Sequence, residues 1–316
     1  MLSLDLSIII PTYNRKEVLG LTIDSLLNQE YPKDKYEILI IDDGSLDDTE
    51  AYVNKIQDSF TLPLLRYFRQ QHRGANAARN CGIKEARGEI LLFLGDDQIA
   101  SPVLLKEHMA YHKRYEGVGV RGDVRPYPGF SGPFQDFINE FHRRDFRVWT
   151  RTRDDVRFIP SFTTANSSIS RELIHKVGLF DETLTRFWQD DEFSMRLRRA
   201  KIKVKFNSRA IVYHYHHYDF PAFYERARAV GEDAVYLARK YPRLKMISGI
   251  NPFTFLIDFI FFPCPSFLKF WEEIVLAVEK RGLNFFSYLI RSNIVNHYFV
   301  QGLRDGMRKI KKNAGG

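Results

Sequence analysis

Asp96 and Asp97 stand side by side after Gly95, at the end of the apolar run Ile90-Leu-Leu-Phe-Leu94. Two carboxylates that close repel each other unless positive charge lies between them. A hard divalent cation with oxygen ligands, Mg²⁺ or Mn²⁺, supplies that charge. The competing reading is a solvated acidic turn that caps the next helix. Acidic groups recur twice more: Asp42-Asp43 ends the apolar run Tyr36-Glu-Ile-Leu-Ile-Ile41, and Gln189-Asp-Asp-Glu192 opens a stretch of helical spacing. Imidazoles also cluster. In Tyr213-His-Tyr-His-His-Tyr218, His214 and His216 alternate as on a strand and so point to one face.

These groups need elements that bring them together. In an open α/β sheet the ligand crevice lies outside the carboxyl ends of the strands, which is where a strand ending in carboxylates puts them. Leu6–Ile10 closed by Pro11 and Leu64–Phe68 read as strands, and Tyr36–Ile41 and Ile90–Leu94 as buried ones. Between them Lys16–Asn28 has helical apolar spacing, Asp47, Asp48 and Thr49 supply an N-terminal helix signal, and Gly74–Glu85 is a small-residue helix able to approach a sheet closely. Pro102 begins a further helix to about Tyr115, followed by a short strand at Val118–Arg121. This alternation predicts an α/β fold with a doubly wound, mostly parallel sheet. Pro126–Ser131 marks the switch to a less regular half. There Phe134, Phe137, Ile138 and Phe141 form a helical stripe with Arg143, Arg144 and Arg147 beyond it. Thr163–Ser170 reads as a strand, Arg171–Val177 and Asp190–Ala200 as helices, Lys203–Phe206 and Ala210–Tyr213 as edge strands, and Phe220–Lys240 as a long helix.

The 316 residues, 44% of them hydrophobic, suffice for one large α/β domain and an appendage. Lys and Arg outnumber Asp and Glu by 47 to 39, which suits anionic partners. Nucleic acid is not the expected one, since the first half lacks a basic stripe with interleaved aromatics. Cys81 and Cys264 make no disulfide framework, and Met1–Asp5 carry no secretory signal, so a cytoplasmic setting is expected. Ile250–Phe270 is apolar and aromatic but interrupted by Pro252, Asp258, Pro263 and Pro265. It reads as an interfacial or partner-covered segment rather than a spanning helix, and the basic Arg308-Lys-Ile-Lys-Lys312 suits peripheral contact with an anionic membrane. An ordinary helical subdomain with a solvated basic tail is the alternative.

Five blocks, in order, carry a family resemblance: Ser7-Ile-Ile-Ile-Pro-Thr-Tyr-Asn14, Ile41-Asp-Asp-Gly-Ser45, Arg73-Gly-Ala-Asn-Ala-Ala-Arg-Asn80, Phe93-Leu-Gly-Asp-Asp97, and Val177-Gly-Leu-Phe-Asp-Glu182 with Trp188–Leu197. Together they resemble the family 2 glycosyltransferases of the GT-A fold over residues 5–217. The resemblance implies a GT-A, Rossmann-like domain over 1–218, with a nucleotide-binding half (1–125) and an acceptor half (126–218); residues 219–316, which it does not cover, read from their own composition as a helical extension able to associate with a membrane. It further implies inverting transfer of a sugar from a nucleotide-diphosphate donor to an acceptor hydroxyl, and the apolar, basic C-terminal region suggests that this hydroxyl belongs to a glycan or lipid-linked acceptor.

By the same resemblance, Pro11 and Tyr13 cradle the base and ribose. Asp43 accepts the imide N–H of uracil or thymine, a donor that adenine lacks, and Arg79 binds phosphate or the base edge. Asp97 aligns with the metal-binding carboxylate and Asp96 with its neighbour, while Gly95 replaces the first aspartate of the family's usual Asp-x-Asp. Asp190 aligns with the catalytic base, with Asp191 as the fallback and Gln189 in place of the usual Glu. His214 stands where relatives place a histidine that completes the metal or diphosphate site. No Gln-x-x-Arg-Trp sequence of the processive members is present, which favours single-sugar transfer. Two readings compete. Nucleotidyl transfer would need a Gly-rich basic loop after the first strand that Pro11–Asn14 does not provide. A catalytically impaired sugar-nucleotide binder or assembly partner is suggested by Gly95 and Gln189.

Overall fold

The computed structural model describes residues 4–59, 61–132, 135–140, 155–156, 162–216, 219–242, 249–264 and 266–314. Phe134, Phe141, Arg143, Arg144, Arg147 and Tyr218 of the expected motifs lie outside these residues. Two compact units divide the chain. Met1–Gly129, Asp145–Thr185 and Gln189–His216 form the first; Phe130–Arg144, Arg186–Trp188 and His217–Gly316 form the second. Segments 130–144 and 186–188 of the expected 1–218 domain therefore group with the second unit.

The first unit is built on a nine-stranded mixed sheet. Its strands are β1 (Leu6–Thr12), β2 (Tyr36–Asp42), β3 (Leu64–Arg69), β4 (Ile90–Leu94), β5 (Gln98–Ala100), β6 (Gly119–Pro126), β7 (Asp155–Val156), β8 (Asn166–Ser170) and β9 (Val204–His214). The spatial order is β3-β2-β1-β4-β8-β6-β9-β5, with β7 on β9. The first four are parallel, as the strand–helix alternation predicted. Beyond β4 the sheet becomes mixed: β8 is antiparallel to β4 and β6, β6 is parallel to β9, and β5 and β7 are antiparallel to β9.

Strands β1, β2 and β4 are buried along their whole length because both faces are covered, whereas β3, at the edge with Arg66 and Arg69, is only partly buried. Ile8, Ile10, Ile38, Ile40, Leu92 and Leu94 enter one core cluster with helix α1 (Lys16–Leu27) and helix α4 (Leu104–Arg114). Ile9, Leu39, Ile41, Leu91 and Phe93 alternate into the other cluster. Helix α3 (Ala75–Glu85), which contributes Ala78 and Ile83, packs there, as does helix α6 (Gln189–Arg199), which contributes Phe193 and Leu197. Helix α2 (Thr49–Ser59) follows β2, and helix α5 (Arg171–Val177) follows β8.

Strand β1 runs two residues past the end expected at Ile10. Asp43 N–H donates to Thr12 O (2.9 Å), so the peptide groups of Thr12 face β2 and those of Pro11 face the other side. There the ladder to β4 has already stopped at Ile9–Phe93, so proline's missing donor costs no hydrogen bond. The two edge strands expected at 203–206 and 210–213 are one strand, β9, which lies inside the sheet between β6 and β5. Polar Asn207, Ser208 and Arg209 form a bulge: Gly122 pairs with Asn207, but the next residue, Asp123, pairs with Ile211.

A buried polar chain braces this half. Asn166 donates its amide to Asp123 O (3.1 Å) and Ala210 O (2.9 Å), which turns its carbonyl to His108 Nε2 (2.9 Å). Ser168 Oγ lies between His108 Nδ1 (2.8 Å) and His112 Nε2 (2.7 Å). Burial holds His108 down to about 4 and His112 down to about 3, the latter also through its neighbour His108. Both folded-state values lie below the usual histidine range. Their stabilising contribution is therefore complete above about pH 6.5 and is lost as pH falls from there towards 4. His108 alone is expected to cost about 2 kcal/mol of stability by pH 5. Denaturant midpoints at pH 7.5 and pH 5 measure this, and His108→Gln should flatten the dependence; an unchanged slope would remove the network as its source.

The second unit is helical: α7 (Phe220–Lys240), α8 (Pro252–Phe261), α9 (Ser266–Lys280) and α10 (Asn284–Ala314). Helices α7 and α10 approach so closely that a Cβ on Gly231 would lie 2.1 Å from Phe299 O, and one on Gly302 would lie 1.8 Å from Arg228 O. Arg228 Nε and Nη2 both pair with Asp305 Oδ2, at 2.9 and 2.7 Å. Phe137, Ile138, Phe223, Tyr224, Phe262 and Ile294 form this unit's core.

Candidate active site

The loops after β1, β2 and β4 leave the carboxyl ends of three adjacent parallel strands, and the carboxylates gather there. Asp96 and Asp97 are both buried. Arg15, the N-cap residue of α1, forks between them, with Nη1 2.8 Å from Asp96 Oδ1 and Nη2 2.9 Å from Asp97 Oδ2. Thr12 Oγ1 donates to Asp96 Oδ2 (2.9 Å), and Thr22 Oγ1 donates to the Asp96 carbonyl (2.7 Å). Gln98 Nε2 donates to Asp97 Oδ1 (3.0 Å).

Strand β5 explains why histidine meets this pair. It starts one residue after Asp97 and pairs Gln98 with His214, while Tyr215 N–H donates to Asp97 O (2.8 Å). His214 Nε2 thereby sits 3.2 Å and His216 Nδ1 3.9 Å from Asp97 Oδ2, and the two rings stack at 5.6 Å. The three side chains offer ligand atoms within 4.8 Å of one another. One carboxylate and two imidazoles form a borderline donor set that fits Mn²⁺ better than Mg²⁺, which prefers oxygen alone.

The neighbouring carboxylates diverge. Burial opposes the charge of Asp97, but the hydrogen bond and charge of His214, joined by Arg15, outweigh it and hold the group well below the usual range. Asp96 is pushed up to about 6, because burial and the nearby Asp97 charge exceed what Arg15 and Thr12 return. Gly95 lies beside them, and a Cβ there would stand 3.0 Å from Asp97 Oδ1. The missing first aspartate leaves room for the Asp97 and Gln98 side chains.

At the ends of β1 and β2, Asn14 takes a left-handed φ of 53° and bridges the first two loops: its N–H donates to Ser45 Oγ (2.9 Å), and its Oδ1 accepts from Leu46 N–H (2.7 Å). Tyr13 is partly exposed and lies 4.3 Å, ring to ring, from His72, whereas Pro11 is buried within β1. Asp43 is fully engaged. Its Oδ1 accepts from Gln70 Nε2 (2.6 Å) and Arg73 N–H (2.9 Å), and its Oδ2 accepts from Gly74 N–H (2.8 Å) and faces His72 Nδ1 (2.9 Å). A base that used this carboxylate would displace Gln70 or His72, since the two amides belong to the start of α3. Asp42 instead locks the turn, accepting from Ser45 N–H (2.7 Å) and Tyr67 Oη (2.5 Å).

Arg79 is buried. Its Nη1 donates to Asn76 Oδ1 (3.0 Å), while its Nε has no hydrogen-bond partner among the described residues. Burial lowers its pKa, against the opposing pull of the Asp190 and Asp96 charges, so the guanidinium lies in the field of both acidic groups. Its neighbours Asn76 and Asn80 clamp the loop before α6, donating to the carbonyls of Asp181 (2.8 Å), Leu184 (2.9 Å) and Phe180 (2.9 Å). Asp190, in the first turn of α6, accepts from Thr163 Oγ1 on Oδ2 (2.9 Å) and from Thr164 N–H on Oδ1 (3.2 Å).

Sequence reasoning missed Arg15, Thr12 and His72. A signal existed for Arg15: a basic residue directly after Asn14, at the end of a strand neighbouring the acidic one. For His72 there was none beyond its place before Arg73.

Comparison with known proteins bears on this geometry. The sequence profile described as "Glycosyl transferase family 2" matches residues 7–178. An uncharacterized glycosyltransferase, YfnE, of Bacillus subtilis (strain 168) is 25% identical over 76% of this chain and 71% of its own length. A GalNAc(5)-diNAcBac-PP-undecaprenol beta-1,3-glucosyltransferase of Campylobacter jejuni is 32% identical over 45% of this chain and 47% of its own. This chain therefore spans about half of that relative. Among solved structures, the mannosyltransferase PcManGT from Pyrobaculum calidifontis, in complex with GDP-Man and Mn²⁺, superposes with a TM-score of 0.63 at 18% identity, over 96% of this chain and 87% of that one. The profile match over more than half of the chain, with the shared fold, makes this protein a glycosyltransferase of family 2 with the GT-A fold.

Proposed function

We propose that the protein transfers a single sugar, with inversion, from a UDP- or dTDP-sugar to a hydroxyl of a glycan or lipid-linked acceptor, at the cytoplasmic face of a membrane. The observation that carries this reading is the cluster at the strand ends, where Asp96, Asp97, Arg15 and His214 pair, with the buried Arg79, whose Nε has no partner among the described residues, in the field of Asp96. Arg79 and Arg15 supply positive charge for a diphosphate, and Arg15 would exchange its carboxylates for phosphate oxygens. Asp97 and His214, joined by His216, would hold Mn²⁺ or Mg²⁺, which neutralises charge on a leaving diphosphate. Tyr13 and His72 offer aromatic faces to a base, and Asp43 would accept its imide N–H on displacing Gln70 or His72.

Asp190 takes the acceptor's proton as the hydroxyl oxygen bonds to the anomeric carbon and the nucleoside diphosphate leaves from the opposite face. Two hydrogen bonds fix the carboxylate for that task, one on each oxygen. A lipid-linked acceptor is supported by the apolar second unit and by the undecaprenol-linked substrate in the name of the Campylobacter relative.

Calorimetric titration of UDP, dTDP, GDP and CDP, each with and without Mn²⁺, tests the reading. Metal-dependent binding of UDP or dTDP is the expected result. Preference for GDP, whose base also carries a ring N–H, would reassign the donor. Binding by none of the four would favour the impaired sugar-nucleotide binder.

A further inference from the structure

Helix α8 is inverted relative to a helix bathed in water. Phe253, Leu256, Ile257 and Ile260 recur at i, i+3, i+4 and i+7 and all point outward, Phe253 at 72% and Ile260 at 62% exposure. Its one carboxylate, Asp258, is turned inward at 1% exposure, paired with His297 Nδ1 (2.6 Å) and Arg304 Nη2 (3.0 Å). Phe267 and Phe270 of α9 and Phe285 and Phe286 in the first turn of α10 are exposed as well. Soluble monomers rarely leave so much large apolar side chain in water.

Charge and length identify the occupant. Residues 219–316 carry fifteen Lys and Arg against nine Asp and Glu, six of the chain's eight net positive charges. Lys269, between the outward Phe267 and Phe270 of α9, and Lys280 and Arg281 at the end of that helix are exposed and make no ion pair among the described residues. The ten residues of α8 and fifteen of α9 reach about 15 and 22 Å. Neither crosses a hydrocarbon layer of about 30 Å, and the two are bent by 77° at the break between them. Short apolar helices with flanking cations suit the plane of a leaflet. Pairing with a second copy would bring the same cations together.

We propose that this face of the second unit docks on an anionic bilayer surface, with Phe253, Ile257, Ile260 and Phe285 in the acyl boundary and Lys269, Lys280 and Arg281 among the headgroups. The proposal rests on the membrane-side reading above and names the surface that carries it. It does not depend on donor chemistry.

Flotation of the full chain with phosphatidylcholine vesicles, with and without phosphatidylglycerol, tests it. The chain is expected to float with the anionic vesicles. The triple variant Phe253→Ser, Ile257→Ser, Ile260→Ser should abolish flotation. The variant Lys269→Glu, Lys280→Glu, Arg281→Glu should weaken partitioning to anionic vesicles by roughly a hundredfold or more, for three charges at headgroup level. Both variants should keep the wild-type circular dichroism and nucleotide affinity, since neither change touches the first unit. Absence of flotation by the wild-type chain, or flotation unchanged in both variants, would overturn the proposal. So would a wild-type dimer in light scattering that the serine variant dissociates, which would make the face an interface between copies. If no nucleotide binds and flotation persists, the donor reading fails and the membrane face stands; the reverse pattern separates them the other way.

Discussion

Asp190→Asn is expected to leave nucleotide affinity unchanged while sugar transfer falls by about 10²- to 10⁴-fold, the size of a positioned general base. The substitution is nearly isosteric. An amide at this position still offers an oxygen to Thr164 N–H or Thr163 Oγ1, the partners that fix the carboxylate now, so the start of α6 keeps its place. What would disappear is the proposed receiver of the acceptor's proton. Single-turnover transfer rates, set beside calorimetric nucleotide affinity, separate that loss from a binding defect. Asp191→Asn is the paired control, because Asp191 is the neighbouring carboxylate on the same helical turn. Normal turnover in Asp190→Asn together with collapse in Asp191→Asn would move the base by one residue. Normal turnover in both would remove this helix from the chemistry.

How much of this was legible in the sequence depended on the range of the interactions. Strands β1, β2 and β4 announced themselves because burial on both faces demands near-continuous apolar runs, and β2 and β4, each running into carboxylates, flank β1 on its two sides. Strand β5 did not show, since three residues have no periodicity to read, yet it delivers His214 to Asp97. The polar Asn207-Ser-Arg209 stretch looked like a break between two edge strands. It is a bulge in one interior strand, with Asn207 Nδ2 donating to Glu107 O (3.0 Å) and Asn207 Oδ1 accepting from Arg209 N–H (3.0 Å). The partners of Arg15 lie 81 and 82 residues away in the chain, so no local pattern announces them. The acidic residue most obviously aimed at a base, Asp43, turned out to hold four donors already, which a motif cannot reveal.

Asp97→Ala is expected to abolish the gain in nucleoside-diphosphate affinity that Mn²⁺ gives the wild-type protein. Asp97 is the only carboxylate in the Asp97–His214–His216 group, and its charge is secured by His214 and Arg15, so it is the ligand already deprotonated for a metal at any ordinary pH. Losing an outer-shell partner of a metal ligand costs about 10- to 100-fold in affinity, and losing the ligand itself should cost at least that. His214→Ala and His216→Ala should each weaken the Mn²⁺ effect by less, since one imidazole and the diphosphate oxygens remain. Asp97→Ala also removes the carboxylate that Arg15 Nη2 pairs with, which makes that nitrogen more available to phosphate. Metal-free nucleotide binding should therefore persist or tighten even as the metal effect vanishes. A general collapse of the site would lower both affinities together, so titrations with and without Mn²⁺ distinguish it from loss of the metal alone. If the wild-type protein binds nucleotide equally well with and without Mn²⁺, or if Asp97→Ala keeps the metal effect, the cation is held elsewhere or is not used. The Arg15 and Arg79 guanidiniums would then carry the diphosphate charge by themselves.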